Sequence, residues 1–102
     1  MADIPDALTA APGAYGLLLE NERVRVLELT LKPGQRAPMH QHPHDHVVYV
    51  LSSARFKLSF PGGEDAIFDL KAGQTLWIEA GPHETENLGT TEGHNLVVEI
   101  KK

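Results

Sequence analysis

Residues 34–51 read GQRAPMHQHPHDHVVYVL, a histidine-dense stretch that runs directly into a β-branched one. Four of the six histidines in the chain fall between positions 40 and 46. Such clustering of a scarce residue points to metal, because imidazole is the commonest metal-binding side chain. Spacing tests the idea. On an extended strand His40 and His42 point to one side about 6.6 Å apart, close enough to share an ion. His42 and His46 would lie roughly 13 Å apart on a straight strand, near the limit for two imidazoles whose nitrogens must each sit about 2.1 Å from one ion. The chain must therefore bend between them. Pro43 has a fixed φ and no amide hydrogen, and Asp45 favours turns, so the bend is expected at 43–45, with His44 directed out of the site.

On either side of this stretch the pattern is one of short strands and turns. Residues 23–31 (RVRVLELTL) read as a strand closed by Pro33-Gly34. Val24 and Val26 share one face and Leu27, Leu29 and Leu31 the other, so either a bulge lies at Val26-Leu27 or both faces are covered. Strands are also expected over 46–51, 55–60, 66–70, 75–78 and 94–100, separated by Ser52-Ser53-Ala54, Pro61-Gly62-Gly63, Ala72-Gly73 and Gly81-Pro82. No segment keeps a helical period. The expected fold is all-β, a single-domain antiparallel β-barrel or jelly roll over residues 23–102, with residues 1–22 an irregular leader. Such a sheet leaves edge strands that pairing can cover, so a homodimer is expected.

Composition narrows the partners. The chain has 102 residues, enough for one hydrophobic core. Nine Lys and Arg stand against 14 Asp and Glu, a formal charge of -5 that repels phosphate backbones and anionic lipid heads. Neither nucleic acid nor a membrane is expected as partner; a small molecule is. No apolar run nears the roughly 20 residues of a membrane span. Asp3, Asp6, Pro5 and Pro12 are unlike a signal peptide, which makes the cytoplasm the expected location. There is no cysteine, hence no disulfide, thiolate nucleophile or Cys-based zinc site.

The motifs resemble those of the cupin superfamily. Gly34, His40 and His42 match the first cupin motif, G-x5-H-x-H-x3-4-E, with His46 where glutamate is usual. Gly73, Gly81, His83 and Asn87 echo the second, roughly G-x5-P-x-G-x2-H-x3-N, although Glu79 replaces the usual proline and Gly81 to His83 is one residue short. The glycine that normally ends the first motif is absent. This likeness implies that His40, His42, His46 and His83 converge inside the barrel as ligands of one divalent transition metal. Imidazole in place of a carboxylate leaves the ion its full charge and favours Fe, Ni, Zn, Cu or Co over Mn or Mg. Four ligands on an octahedral ion leave two positions open, which suits dioxygenase- or isomerase-like chemistry on a small oxygen-rich molecule. A saturated tetrahedral zinc would instead fit a non-catalytic binding or sensing module. His94 is expected to be an ordinary surface or hydrogen-bonded histidine. Asp45, Glu79, Glu84 and Glu86 are expected to be solvated turn carboxylates, with orientation of an imidazole as the alternative role. Tyr49, Phe56, Phe60, Phe68 and Trp77 are assigned to core or interface.

Overall fold

The computed structural model describes residues 4–102 as two antiparallel sheets face to face. In chain order the elements are α1 (Ala7–Ala10), β1 (Tyr15–Glu20), β2 (Val24–Leu31), β3 (Arg36–His42), β4 (His46–Ser52), β5 (Ala54–Ser59), β6 (Asp65–Leu70), β7 (Thr75–Ile78), β8 (Gly81–Asn87) and β9 (Gly93–Ile100). One sheet has the order β1-β2-β9-β4-β7 and the other β3-β8-β5-β6. The all-β jelly-roll expectation holds, with the two sheets remaining open at their edges rather than closing into one barrel.

The two sheets meet through alternate residues of each strand. Leu27, Leu29 and Leu31 of β2, Val48 and Val50 of β4, Phe56 and Leu58 of β5, and Val97 of β9 form the buried core. The phase change read at Val26-Leu27 involves no bulge. β2 pairs with β9 in continuous register from Val24 to Leu31, and the inward position before Leu27 is filled by Arg25. Val24 and Val26 lie on the outer face and are half-buried. The irregularity is instead in β1, between Leu17 and Leu19. Gly93 opens β9 where the ring of Phe56 presses on the backbone: a Cβ there would lie 2.3 Å from Phe56 Cζ, so no other residue fits without repacking.

Two segments differ from their sequence expectation. Within the stretch expected to be an irregular leader, α1 is capped by Asp6 and β1 pairs with β2; Met1, Ala2 and Asp3 lie outside the described residues. Gly81-Pro82, expected as a break, begins β8 instead. Pro82 lies opposite Gln41, beyond the stretch of β8, Glu84 to Asn87, that pairs with β5, so its missing amide costs no bond to β5.

Candidate metal centre

β3 places His40 and His42 on the inward face, two residues apart as the strand period requires. β8 runs antiparallel to β3 with His83 directly opposite His40. The chain turns through Pro43, His44 and Asp45 into β4, which carries His46 on the facing sheet. Asp45 fixes that turn by accepting a hydrogen bond from the Ala80 amide at 2.7 Å, and His44 is half-buried outside the cluster. His40, His42, His46 and His83 are all buried, none more than 4% exposed.

The ring nitrogens are sorted by their neighbours. Nδ1 of His40 donates to the Pro38 carbonyl at 2.6 Å, Nδ1 of His42 to the Glu99 carboxylate at 2.8 Å, and Nδ1 of His46 to the His44 carbonyl at 3.1 Å. Each bond fixes the tautomer and leaves Nε2 with a free lone pair. His40, His42 and His83 each offer a ligand atom within 4.8 Å of the others. His46 stacks on His42 with ring centroids 4.4 Å apart but falls outside that group of three. Burial pushes the His40 and His46 pKa values down to about 4 and that of His83 to about 2, with repulsion from neighbouring imidazoles adding to the effect. Neutral imidazoles are the form a divalent transition ion needs, and His40, His42 and His46 also present Nε2, so these residues fit a metal.

A charged chain runs outward from His42. Burial alone would raise the Glu99 pKa, but hydrogen bonds from His42 and Arg25 outweigh it and bring the value down to about 2. Arg25 donates to both oxygens of Glu99, at 2.8 and 3.0 Å, and to both oxygens of Asp6, at 3.1 and 2.7 Å. Burial disfavours the guanidinium charge, yet these two carboxylates hold its pKa above the ordinary value. Tyr15, 5% exposed, brings its hydroxyl to 3.2 Å from His40 Nε2 and 3.4 Å from His42 Nε2. Burial and the Glu99 charge raise its pKa.

None of Asp6, Tyr15, Arg25 and Glu99 was marked by the histidine pattern. The alternation of β9 pointed the wrong way for Glu99, because the inward set, Asn95, Val97 and Glu99, is the more polar one. Glu84 and Glu86, expected to be solvated carboxylates, point away from the cluster. Glu84 faces Arg36 at 3.8 Å and Glu86 faces Lys57 at 3.5 Å. Asn87 is structural: it donates to the Leu31 and Thr91 carbonyls and accepts from the Gly89 amide. His94 pairs with Glu28 at 2.7 Å, away from the cluster.

Between the sheets, beside the histidines, lies a cavity of about 50 Å3. Tyr15, His42, His46 and His83 line one part of it, and Val48, Phe56, Leu58, Leu70 and Val97 supply apolar wall. Asn95 also lines it, and its buried Oδ1 has no hydrogen-bond partner among the described residues. On the outside, Phe60, Trp77, Gly81 and Pro82 border a cleft that reaches His83. No helix among the described residues is long and apolar enough to cross a membrane.

Comparison with known proteins agrees with this architecture. A family model described as "Cupin domain" matches residues 27–99. The chain is 34% identical over 84 residues to the beta-alanine degradation protein BauB of Pseudomonas aeruginosa, covering 81% of this chain and 87% of that protein. It superimposes on the crystal structure of a cupin domain from Bordetella pertussis Tohama I with a TM-score of 0.80, at 27% identity and 100% coverage of both chains. A double-stranded β-helix protein from Klebsiella pneumoniae gives a TM-score of 0.70 at 22% identity, covering 99% of this chain and 91% of that one, a likeness of fold alone.

Proposed function

The chain belongs to the cupin family, and from that membership we propose that it binds one divalent transition metal and acts on a small oxygen-rich molecule. His40, His42 and His83 hold the ion, with His46 completing the set from the opposite sheet. The observation that carries this reading is the convergence of the buried His40, His42 and His83, whose ligand atoms lie within 4.8 Å of one another, with Nδ1 of His40 and of His42 tied back. When bound, the ion supplies Lewis acidity for a carboxylate or enolate, chemistry of a dioxygenase or isomerase kind.

The protein's own groups bind and orient. Glu99 keeps the His42 ring in one tautomer and one orientation, and Arg25 keeps Glu99 ionised. The apolar wall lowers the local dielectric, which strengthens polar contacts made inside the cavity. Its volume of about 50 Å3 is several times the ~10–15 Å3 that one water requires, so a molecule of a few heavy atoms fits. Asn95 Oδ1 offers an acceptor to a donor group on that molecule. The BauB relative is named for degradation of beta-alanine, itself a short carboxylate, which supports this size and chemical class.

Elemental analysis of the purified protein tests the reading. Close to one transition metal per chain is expected, lost in His42→Ala and in His83→Ala while the fold persists by circular dichroism. Full metal retention in both variants overturns it.

We also propose a homodimer formed through the outer face of the five-stranded sheet. Across all five strands the register lines up Leu19, Val26, Val98, Val47 and Trp77. Trp77, Leu19 and nearby Tyr49 are 58%, 51% and 42% exposed, an apolar band of the kind that marks an interface.

A further inference from the structure

We propose that Tyr15 supplies a phenolic oxygen ligand to the ion held by the histidine cluster, an inference that rests on the metal-binding reading above. Its hydroxyl oxygen lies 3.2 Å from His40 Nε2 and 3.4 Å from His42 Nε2. Two ligands at right angles, each about 2.1 Å from one ion, are about 3.0 Å apart, and a slightly wider angle gives about 3.4 Å. The oxygen therefore stands from both nitrogens at the spacing of neighbouring ligands around a common centre.

Hydrogen bonding alone leaves this arrangement incomplete. Nδ1 of each ring donates outward, so both Nε2 atoms are acceptors, and a single hydroxyl hydrogen can serve only one of them. The other is left as a buried acceptor without a donor, a costly state. An ion shared by the two nitrogens and the oxygen satisfies all three. As the bond forms, the phenolic proton leaves to solvent and the oxygen's lone pair takes its place on the ion.

The ring is also fixed in place. Tyr15 pairs with Leu29 at the start of β1, and its amide donates to the Ala11 carbonyl at 2.9 Å. It meets His40 and His42 edge-on, with ring centroids 5.1 and 5.6 Å apart. The segment read as a leader thus brings an oxygen donor to a cluster that has imidazole where the cupin motif carries glutamate. The resulting charge is the same: one anionic oxygen among neutral nitrogens.

Loading with ferric ion reads the bond directly, because phenolate bound to iron(III) gives a visible charge-transfer band with tyrosine ring modes enhanced in its resonance Raman spectrum. The chain has two tyrosines, and Tyr49 is 42% exposed on the outer face, which makes it the control. The band is expected in the wild type and in Tyr49→Phe, and lost in Tyr15→Phe with about one iron per chain retained. Iron bound to the wild type without the band, or a band that persists in Tyr15→Phe, overturns the Tyr15 assignment and leaves the histidine site standing. Failure of the wild type to bind iron, nickel, zinc, copper or cobalt overturns the metal reading and this inference with it. The wild-type and Tyr49→Phe spectra decide the matter even if Tyr15→Phe does not fold.

Discussion

Replacing Glu99 by Gln keeps the shape of the side chain and removes its charge, which isolates what the carboxylate contributes. Glu99 is fully buried, and it accepts two hydrogen bonds from Arg25 and one from His42. Hydrogen bonds to charged groups are worth about 1.5–3 kcal/mol each, and removing one partner of a buried ion pair costs about 3–5 kcal/mol. Two features set the expectation at the lower end. Arg25 keeps its second carboxylate, Asp6, and the Gln amide oxygen can still accept one bond. We therefore expect a loss of about 3 kcal/mol. At about 4–8 °C per kcal/mol for a domain of this size, the melting temperature should fall by more than ~10 °C. Metal affinity should fall 10- to 100-fold, roughly the effect of losing an outer carboxylate partner of a metal-binding histidine. Urea denaturation of the metal-free protein measures the first and calorimetric titration with zinc the second. Asp69→Asn, which removes the exposed partner of Arg55, is the control and should leave both unchanged. If Glu99→Gln matched that control in stability and in affinity, the relay from Asp6 to His42 would have no energetic content.

Acid should destabilise the metal-free protein early. His40 and His46 titrate near pH 4 and His83 near pH 2 when folded, against about 6.5 when unfolded, so below pH 6.5 the unfolded chain binds the extra protons. Stability is complete above pH 6.5 and falls as pH drops toward the folded values, by about 2 kcal/mol per histidine at pH 5. Glu99 has the same sign at lower pH, its contribution being lost as pH falls from about 4.5 toward 2. A melting temperature equal at pH 7 and pH 5 would contradict this, and bound zinc should move the loss to lower pH. Trp77→Lys places a charge in the middle of the apolar band, and multi-angle light scattering should report a monomer where the wild type is a dimer. A wild-type monomer at high concentration refutes the interface.

Strand positions were legible wherever apolar side chains alternate. The expectation for 75–78 coincides with β7, and those for β2, β4, β5, β6 and β9 differ from the structure by one residue at either or both ends. The strands that escaped notice are those whose residues serve something other than the core. In β8 (GPHETEN) the inward positions hold His83, Thr85 and Asn87, so apolar alternation is replaced by polar alternation. In β1 three consecutive leucines follow Gly16, and consecutive apolar residues erase a period of two. The site was legible as far as its nitrogen donors, because histidine announces itself by type and spacing. Its supports were not, because Asp6, Tyr15, Arg25 and Glu99 are separated along the chain and meet only through the register β1-β2-β9. In β9 the rule that the apolar face turns inward fails outright: Leu96 and Val98 face outward, while Asn95 and Glu99 face the cavity and the cluster.

That inversion explains why a carboxylate so close to the cluster is not a ligand. Glu99 Oε1 accepts from Arg25 Nε, and Oε2 accepts from both Arg25 and His42 Nδ1. Both oxygens are committed, one side to guanidinium and the other to the far nitrogen of the imidazole, so the charge reaches the cluster through the ring rather than by direct contact. Arg25 in turn is not free to neutralise Glu99 fully, because Asp6 shares it. Two carboxylates against one guanidinium leave a net charge of -1 behind His42. An ion among neutral imidazoles would thus feel a compensating charge at the distance of one ring, too remote to occupy a coordination position. With His46 standing where the usual motif has glutamate and Glu99 committed elsewhere, the oxygen that faces the ligand nitrogens is that of Tyr15, 3.2 and 3.4 Å from Nε2 of His40 and His42.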